Sequence, residues 1–231
     1  MKNTDPSLVP LKRKAAECAV AQVEDKMVLG LGSGSTAAIM VEILAKRVAD
    51  GLDVVGIPTS EGTAALAKRL GVPLTDFEHH RRIDLTIDGA DQIEQGTLNL
   101  VKGLGGALLR EKIVAEASAR MIVIADPTKI VPRLGAATAL PVEVVPFGWP
   151  IVMDRLKEFP AECLLRRAGD APFVTNGGNY VVDCRFDTIA DAAALQAKLK
   201  AITGVVETGL FVGLATQAMI GREEDVQILS R

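Results

Sequence analysis

With 231 residues the chain is long enough for one large or two small domains, each with a core of its own. Apolar residues make up 48% and charged residues 24%, the balance of a soluble globular protein. Aromatics at 3% are too few for stacking on nucleic-acid bases, and a net charge of −3 offers no global basic field to nucleic acid or an anionic membrane, so any anionic ligand must be held locally. The amino-terminal stretch lacks an apolar leader and no apolar run is long enough to cross a bilayer. Three cysteines (Cys18, Cys163, Cys184) form no C-x-x-C pair and fit reduced thiols, so the expectation is a cytoplasmic protein.

In chain order, helical spacing over Leu11–Lys26 follows Pro10, a residue that a helix start tolerates. Met27–Gly32 is a short apolar run, read as a buried strand, and Gly30–Thr36 (GLGSGST) is the turn after it. Ala37–Ala49 presents an apolar face at Ile39, Met40, Ile43 and Leu44 and is closed by Gly51. The unit repeats: strand Asp53–Pro58, cap Thr59–Ser60, helix Glu61–Leu70 ended by Gly71 and Pro73. Ile83–Asp88 alternates as a strand does; a loop with a small hairpin, a helix over Gly106–Ser118 and the strand Met121–Ala125 follow. Alternating strands and helices predict a Rossmann-like α/β domain, a mostly parallel sheet with helices on both faces.

The texture changes after Arg133. Strand Pro141–Pro146, helix Ile151–Phe159, strand Glu162–Ala168, a hairpin turning at Thr175–Gly178, helix Ile189–Ile202 and strand Val205–Phe211 give the order β-α-β-β-α-β of a smaller ferredoxin-like α+β domain. The expected domains are therefore residues 1–133 with 212–231, and residues 134–211.

The loops GSGST, TSEGT, DGAD and DPTK all follow strands of the first domain. Open α/β sheets bind ligands at the carboxyl ends of their strands, so these loops are expected to converge on one crevice. Gly30–Thr36 offers backbone N–H groups at a helix start and the hydroxyls of Ser33, Ser35 and Thr36, which suit an anion; a tight strand–helix turn explains it equally. It matches neither G-x-G-x-x-G nor a P-loop, and no acid ends the next strand, so a single phosphate fits better than a dinucleotide. Asp88 and Asp91 read as an acid–base pair, as a turn or helix cap, or as a metal site. Metal is disfavoured because the only histidines, His79 and His80, are adjacent and diverge on an extended segment. Lys102 before Gly103, Gly105 and Gly106 reads as an oxyanion clamp or as an exposed lysine in a flexible loop. Glu111, inside Arg110-Glu111-Lys112, reads as a solvated helix face unless it turns back toward those loops. Lys129 in DPTK is a phosphate ligand or a surface lysine.

GSGST, DGAD, KG-G with a glutamate nine residues past the lysine, and DPTK, taken together in this order, resemble ribose-5-phosphate isomerase type A. Leu140–Pro146 (LPVEVVP), Thr175–Asn179 (TNGGN) and Gly204–Phe211 (GVVETGLF) extend the likeness over nearly the whole chain. The resemblance implies an aldose–ketose isomerase of the pentose phosphate pathway, working on ribose 5-phosphate and ribulose 5-phosphate through an enediol(ate). It implies no metal or organic cofactor, and assembly as a homodimer or dimer of dimers. By position it makes Glu111 the base between C1 and C2 and assigns hydroxyl protons and ring opening to Asp88 and Asp91. Lys102, with Gly103, Leu104 and Gly105, is implied to stabilise the intermediate; Ser33, Gly34, Ser35, Thr36 and Lys129 are implied to bind substrate, partly through phosphate. One carboxylate suffices for a proton moving between adjacent carbons, and screening from water raises a carboxyl pKa toward working pH. Two positions depart from the pattern: Leu104 stands in place of a glycine of KGGG, and Gln92 in place of the glutamate that often follows DGAD.

Two other classes compete. A non-catalytic sugar-phosphate-binding regulatory module has no need of Glu111 and carries a helix-turn-helix, for which only one helix precedes the first strand here. A CoA-transferase-like enzyme uses a glutamate nucleophile, but this chain is short and shows no nucleotide site.

Overall fold

The computed structural model describes residues 5–231; residues 1–4, the start of the stretch read above as lacking a leader, lie outside them. By contacts the chain divides into two units, one holding the chain up to Ala90 with Arg110–Lys129 and Leu214–Arg231, the other holding Asp91–Leu109 and Ile130–Gly213. The expected boundaries left 91–109 with the first region. It groups with the second because Gln92–Glu94 and Leu100–Val101 form a hairpin that also pairs with Ile130–Val131 and Leu210–Phe211, making a four-stranded sheet.

The first unit is built on a six-stranded sheet in the order Val226–Ser230, Gln217–Gly221, Ser118–Ala125, Ile83–Asp88, Val28–Leu31, Val55–Pro58. Every neighbouring pair is parallel except the hairpin Gln217–Gly221/Val226–Ser230 at the edge. Side chains alternate across a strand. Leu29 and Leu31, with Leu85, Ile87, Ile122 and Ile124, therefore turn to one face, where helices Val9–Val20 and Ser35–Ala49 supply Ala15, Ala16, Ala19, Met40, Val41 and Leu44. Gly30 between them faces the other way: a Cβ there would stand 1.9 Å from Thr86 Oγ1 and 2.6 Å from Val114 Cγ1 of the helix Leu108–Glu116. Helices thus cover both faces, as a buried parallel sheet requires.

Several element ends differ from expectation: Val205–Phe211 divides into Val205–Thr208 and Leu210–Phe211, which join different sheets, and helices Ile151–Phe159 and Ile189–Ile202 shift to Trp149–Leu156 and Ala192–Lys200. The first helix runs over Val9–Val20 rather than Leu11–Lys26. Past Ala21 the bonds tighten to i−3, Gln22 N–H to the Ala19 carbonyl and Val23 N–H to the Val20 carbonyl, which closes the helix, and Lys26 at φ +69° turns the chain to give its N–H to the Asp53 carbonyl. The strand expected at Met121 starts at Ser118, directly behind the helix Leu108–Glu116.

In the second unit, Leu140–Val144, helix Trp149–Leu156, Ala161–Leu165, Tyr180–Phe186, helix Ala192–Lys200 and Val205–Thr208 reproduce the β-α-β-β-α-β order. Their sheet runs Val205–Thr208, Leu140–Val144, Tyr180–Phe186, Ala161–Leu165, antiparallel throughout. Val142, Val144, Val182 and Cys184 pack on Val152, Leu156 and Leu199 of the two helices. Glu143, between the two valines, is buried; its Oε1 accepts from Thr175 Oγ1 at 2.8 Å and Asn179 Nδ2 at 3.0 Å and fixes the TNGGN turn. Among the described residues no helix is long and apolar enough to cross a membrane.

Candidate functional site

At the carboxyl edge of the six-stranded sheet, Gly34 takes φ +97° and caps the helix Ser35–Ala49. Ser35 and Thr36 occupy its first turn, where N–H groups have no partner within the helix and the macrodipole favours an anion. Ser33 ties this loop to the next. Its hydroxyl lies 2.6 Å from Thr59 Oγ1 and 2.8 Å from Ser60 Oγ, and Ser60 caps the following helix by accepting from Thr63 N. The Ser33 N–H donates to Asp88 Oδ1 at 3.0 Å, so GSGST, TSEGT and the end of the third strand are joined.

Behind Ser35 stands a residue that sequence reasoning passed over. Lys12, on the helix Val9–Val20, is 6% exposed; its Nζ donates to Ser35 Oγ at 3.2 Å and lies 3.9 Å from Asp126 Oδ2. Burial pushes its pKa below the ordinary lysine range; Asp126 opposes the shift and Lys129 adds to it. Asp126 is itself buried and accepts from the Thr128 N–H at 3.0 Å, which shapes the Pro127–Lys129 turn carrying half-buried Lys129. The signal for Lys12 was present: it heads the stripe Lys12, Ala15, Ala16, Ala19, Val20, a helix face otherwise made of buried apolar residues.

Asp88 ends its strand with no exposed surface, and its Oδ1 also accepts from the Gly89 N–H at 2.7 Å. Gly32 makes room for it: a Cβ at 32 would sit 2.1 Å from that oxygen. Glu111 lies in the first turn of Leu108–Glu116 and is 5% exposed, with Lys112 buried beside it. Of the charged triplet only Arg110 reaches outward, to Glu61 Oε1 at 2.8 Å. A buried carboxylate is tolerated only where polar partners replace its water, so the solvated-face reading of Glu111 does not hold.

Asp91 and Lys102 belong to the second unit. Asp91 Oδ2 accepts the Leu104 N–H at 2.9 Å. Lys102 is 2% exposed, gives its backbone N–H to the Gly209 carbonyl at 2.9 Å, and holds its ammonium 5.5 Å from the Phe211 ring centroid. A Cβ at Gly209 would stand 2.3 Å from the Lys102 carbonyl oxygen. In the loop after Lys102 the left-handed positions are Gly103 (φ +100°) and Gly106 (φ +81°); Leu104 is not among them, so its backbone does not demand glycine. Gln92 is fully buried, accepting from the Gly135 N–H at 2.9 Å and donating to the Thr138 carbonyl at 3.2 Å. An amide meets both partners; a glutamate carboxylate would face the carbonyl with no proton to give. The histidines are engaged elsewhere, His79 with Asp76 at 2.7 Å and His80 with Thr75 at 2.8 Å.

The family model described as ribose 5-phosphate isomerase A (phosphoriboisomerase A) matches residues 55–225. The chain is 53% identical over 220 residues to ribose-5-phosphate isomerase A of Gloeobacter violaceus, covering 95% of this chain and 96% of that one. Its fold is similar to ribose 5-phosphate isomerase A of Methanocaldococcus jannaschii, with a TM-score of 0.93, 37% identity and coverage of 97% and 100%. It is equally similar, at TM-score 0.93 and 36% identity over 96% and 98% of the two chains, to a D-ribose-5-phosphate isomerase in complex with phospho-erythronic acid.

Proposed function

This chain belongs to the ribose 5-phosphate isomerase A family, and on that premise we propose that it interconverts D-ribose 5-phosphate and D-ribulose 5-phosphate by side-chain acid–base chemistry alone. The observation that carries the mechanism is the burial of Glu111, a carboxylate placed in the first helical turn after the Lys102 loop. Glu111 takes the proton from C2 of the ring-opened aldose and returns it to C1. Asp88 and Asp91 move the hydroxyl protons that open the ring and transfer between O1 and O2. Lys102 and the amides of Gly103 and Gly105 stabilise the enediolate oxygen, where fixed donors gain most because the charge develops only in the transition state, while the Leu104 N–H holds the Asp91 carboxylate. Phospho-erythronic acid, the ligand of a similar enzyme, supports the reading: its planar carboxylate has the shape and charge of an enediolate, at the opposite end of the chain from a terminal phosphate.

The phosphate falls to the helix start at Gly34, Ser35 and Thr36, with Lys12 and Lys129 supplying charge and Ser33 holding the loop in place. The substrate is a small sugar phosphate, with no nucleic-acid or membrane partner. Three free thiols suit a reducing compartment, and we place the enzyme in the cytoplasm. A nearly fully exposed phenylalanine, Phe147, supports assembly as a homodimer or dimer of dimers.

The test is turnover of ribose 5-phosphate in deuterated water. The expected result is ribulose 5-phosphate carrying solvent deuterium, activity indifferent to a chelator, and loss of at least about 10²-fold in kcat for Glu111→Gln with substrate still bound. Turnover of Glu111→Gln at the native rate removes Glu111 from the proton transfer, and strict metal dependence replaces the enediolate route with a hydride shift.

A further inference from the structure

The backbone of the Lys102 loop is gripped by a side chain to which no step above gives a role. Arg166 follows the strand Ala161–Leu165, and its side chain is 13% exposed. Its Nη1 donates to the carbonyl oxygens of Gly103 at 3.0 Å and Leu104 at 3.1 Å. Its other edge is fixed by Asp183, with Nε donating to Oδ2 at 2.9 Å and Nη2 to Oδ1. The guanidinium carbon lies 5.6 Å from the Phe173 ring centroid, and the Phe173 N–H donates to the Arg166 carbonyl at 2.9 Å. That ring in turn occupies the space a side chain at Gly106 would need: a Cβ there would come 2.4 Å from Phe173 Cε1.

A trans peptide is planar, with its C=O and N–H pointing opposite ways. Drawing the Gly103 carbonyl toward Arg166 therefore turns the Leu104 N–H away from it, and that N–H is the one bound to Asp91 Oδ2. Drawing the Leu104 carbonyl the same way turns the Gly105 N–H away as well. One guanidinium thus sets the direction of two successive amides and, through the first, the position of the Asp91 carboxylate. We propose that Arg166, locked by Asp183, is the positioning residue of the Lys102–Gly106 loop: it aims the Gly105 amide at the reacting end of the substrate and, through the Leu104 amide, holds Asp91 in place. This rests on the reading that the loop binds the enediolate. Arginine suits the role because its planar fork serves two carbonyls and a carboxylate at once, which a lysine ammonium cannot do.

The experiment compares Arg166→Lys, Arg166→Ala and the milder Asp183→Asn with the unaltered enzyme, by steady-state kinetics on ribose 5-phosphate and by hydrogen exchange at the Leu104 amide, the one bound to Asp91. Arg166→Lys is expected to exchange at least about tenfold faster at this amide. Its kcat is expected to fall about 10–10²-fold, as for a displaced reactive group, with KM altered less. Asp183→Asn is expected to move both readouts in the same direction by less. Guanidinium ion added to Arg166→Ala restores part of kcat, whereas urea, similar in shape and uncharged, does not. Unchanged exchange in the folded variants overturns the positioning role. Faster exchange with native kcat overturns its bearing on catalysis, as does rescue by urea equal to that by guanidinium. If Arg166→Lys and Arg166→Ala do not fold, Asp183→Asn decides by the same two readouts. An unaltered enzyme inactive on ribose 5-phosphate sinks the functional reading instead, and amide exchange still decides whether Arg166 sets the loop.

Discussion

Lys12 shows how much a single buried charge can govern. An ammonium that loses water is less stable charged, which is why its pKa falls, and Lys129 nearby pushes the same way while Asp126 pulls back. A phosphate dianion at Ser35 favours the charged form. Below the lowered pKa the lysine is already protonated and binding needs no proton; above it, binding takes up one and weakens with each step in pH. The KM for ribose 5-phosphate is therefore expected to climb on the alkaline side before an ordinary lysine titrates, while kcat holds. Lys12→Met should raise KM about 10–10²-fold, the loss of one charge-assisted hydrogen bond, and flatten that alkaline limb. A limb that survives in Lys12→Met belongs to another group. The two departures from the family pattern find their reasons at this same scale. Leu104 is tolerated because the left-handed turns fall on Gly103 and Gly106, and Gln92 because its amide must both donate and accept.

Elements decide where such residues can stand. Four strand ends of the first unit carry GSGST, TSEGT, DGAD and DPTK, and hydrogen bonds link the first to the second and third while Lys12 links it to the fourth. The close approach of two neighbouring strand ends depends on Gly32. An added Cβ would meet not only Asp88 Oδ1 but Asp88 Cα at 2.5 Å, and backbone cannot swing aside as a side chain can. Gly32→Ala is expected to displace Asp88, lowering kcat about 10–10²-fold and stability by about 1–3 kcal/mol, read from turnover and a denaturation midpoint. A stable, fully active Gly32→Ala would show that this carboxylate position is not the one catalysis uses. These strands and helices were legible in the sequence because alternation and 3.6-residue periodicity are local properties. So were the loop residues, since glycine and hydroxyl clusters punctuate strand ends. Arg166 was not, because it looks like an ordinary surface charge until Asp183, 17 residues on, is known to face it; Lys12 showed only as a charge at the head of an apolar stripe, and its task stayed hidden until Ser35, 23 residues on, was known to face it. The grouping of 91–109 with the second unit escaped for the same reason: it depends on strand partners at Ile130–Val131 and Leu210–Phe211.

At the scale of the whole molecule, the surface of the second unit carries a feature that a solitary protein has reason to hide. Phe147 is 99% exposed, Ile151 73% and Val145 40%, on the turn Pro146–Gly148, on the helix Trp149–Leu156 and at the residue before the turn, respectively. Scattered apolar residues on a surface need no explanation, but three within seven positions, one of them a bare aromatic ring, are the surface we propose the homodimer covers. Most oligomers of identical chains are two-fold, and a two-fold contact uses each residue twice. Burying a phenylalanine is worth about 1.5–3 kcal/mol, so removing it from both sides of a two-fold contact amounts to at least about 3 kcal/mol, or about 10²-fold in dissociation constant. Phe147→Glu goes further by setting like charges against each other across the axis. Sedimentation velocity is therefore expected to show a dimer or dimer of dimers for the unaltered chain at micromolar concentration. Phe147→Glu should shift it to a smaller species with an unchanged circular dichroism spectrum, and Ile151→Lys should do the same more weakly. Assembly indifferent to both substitutions would move the contact to another surface, and a monomer at every concentration would end the assignment.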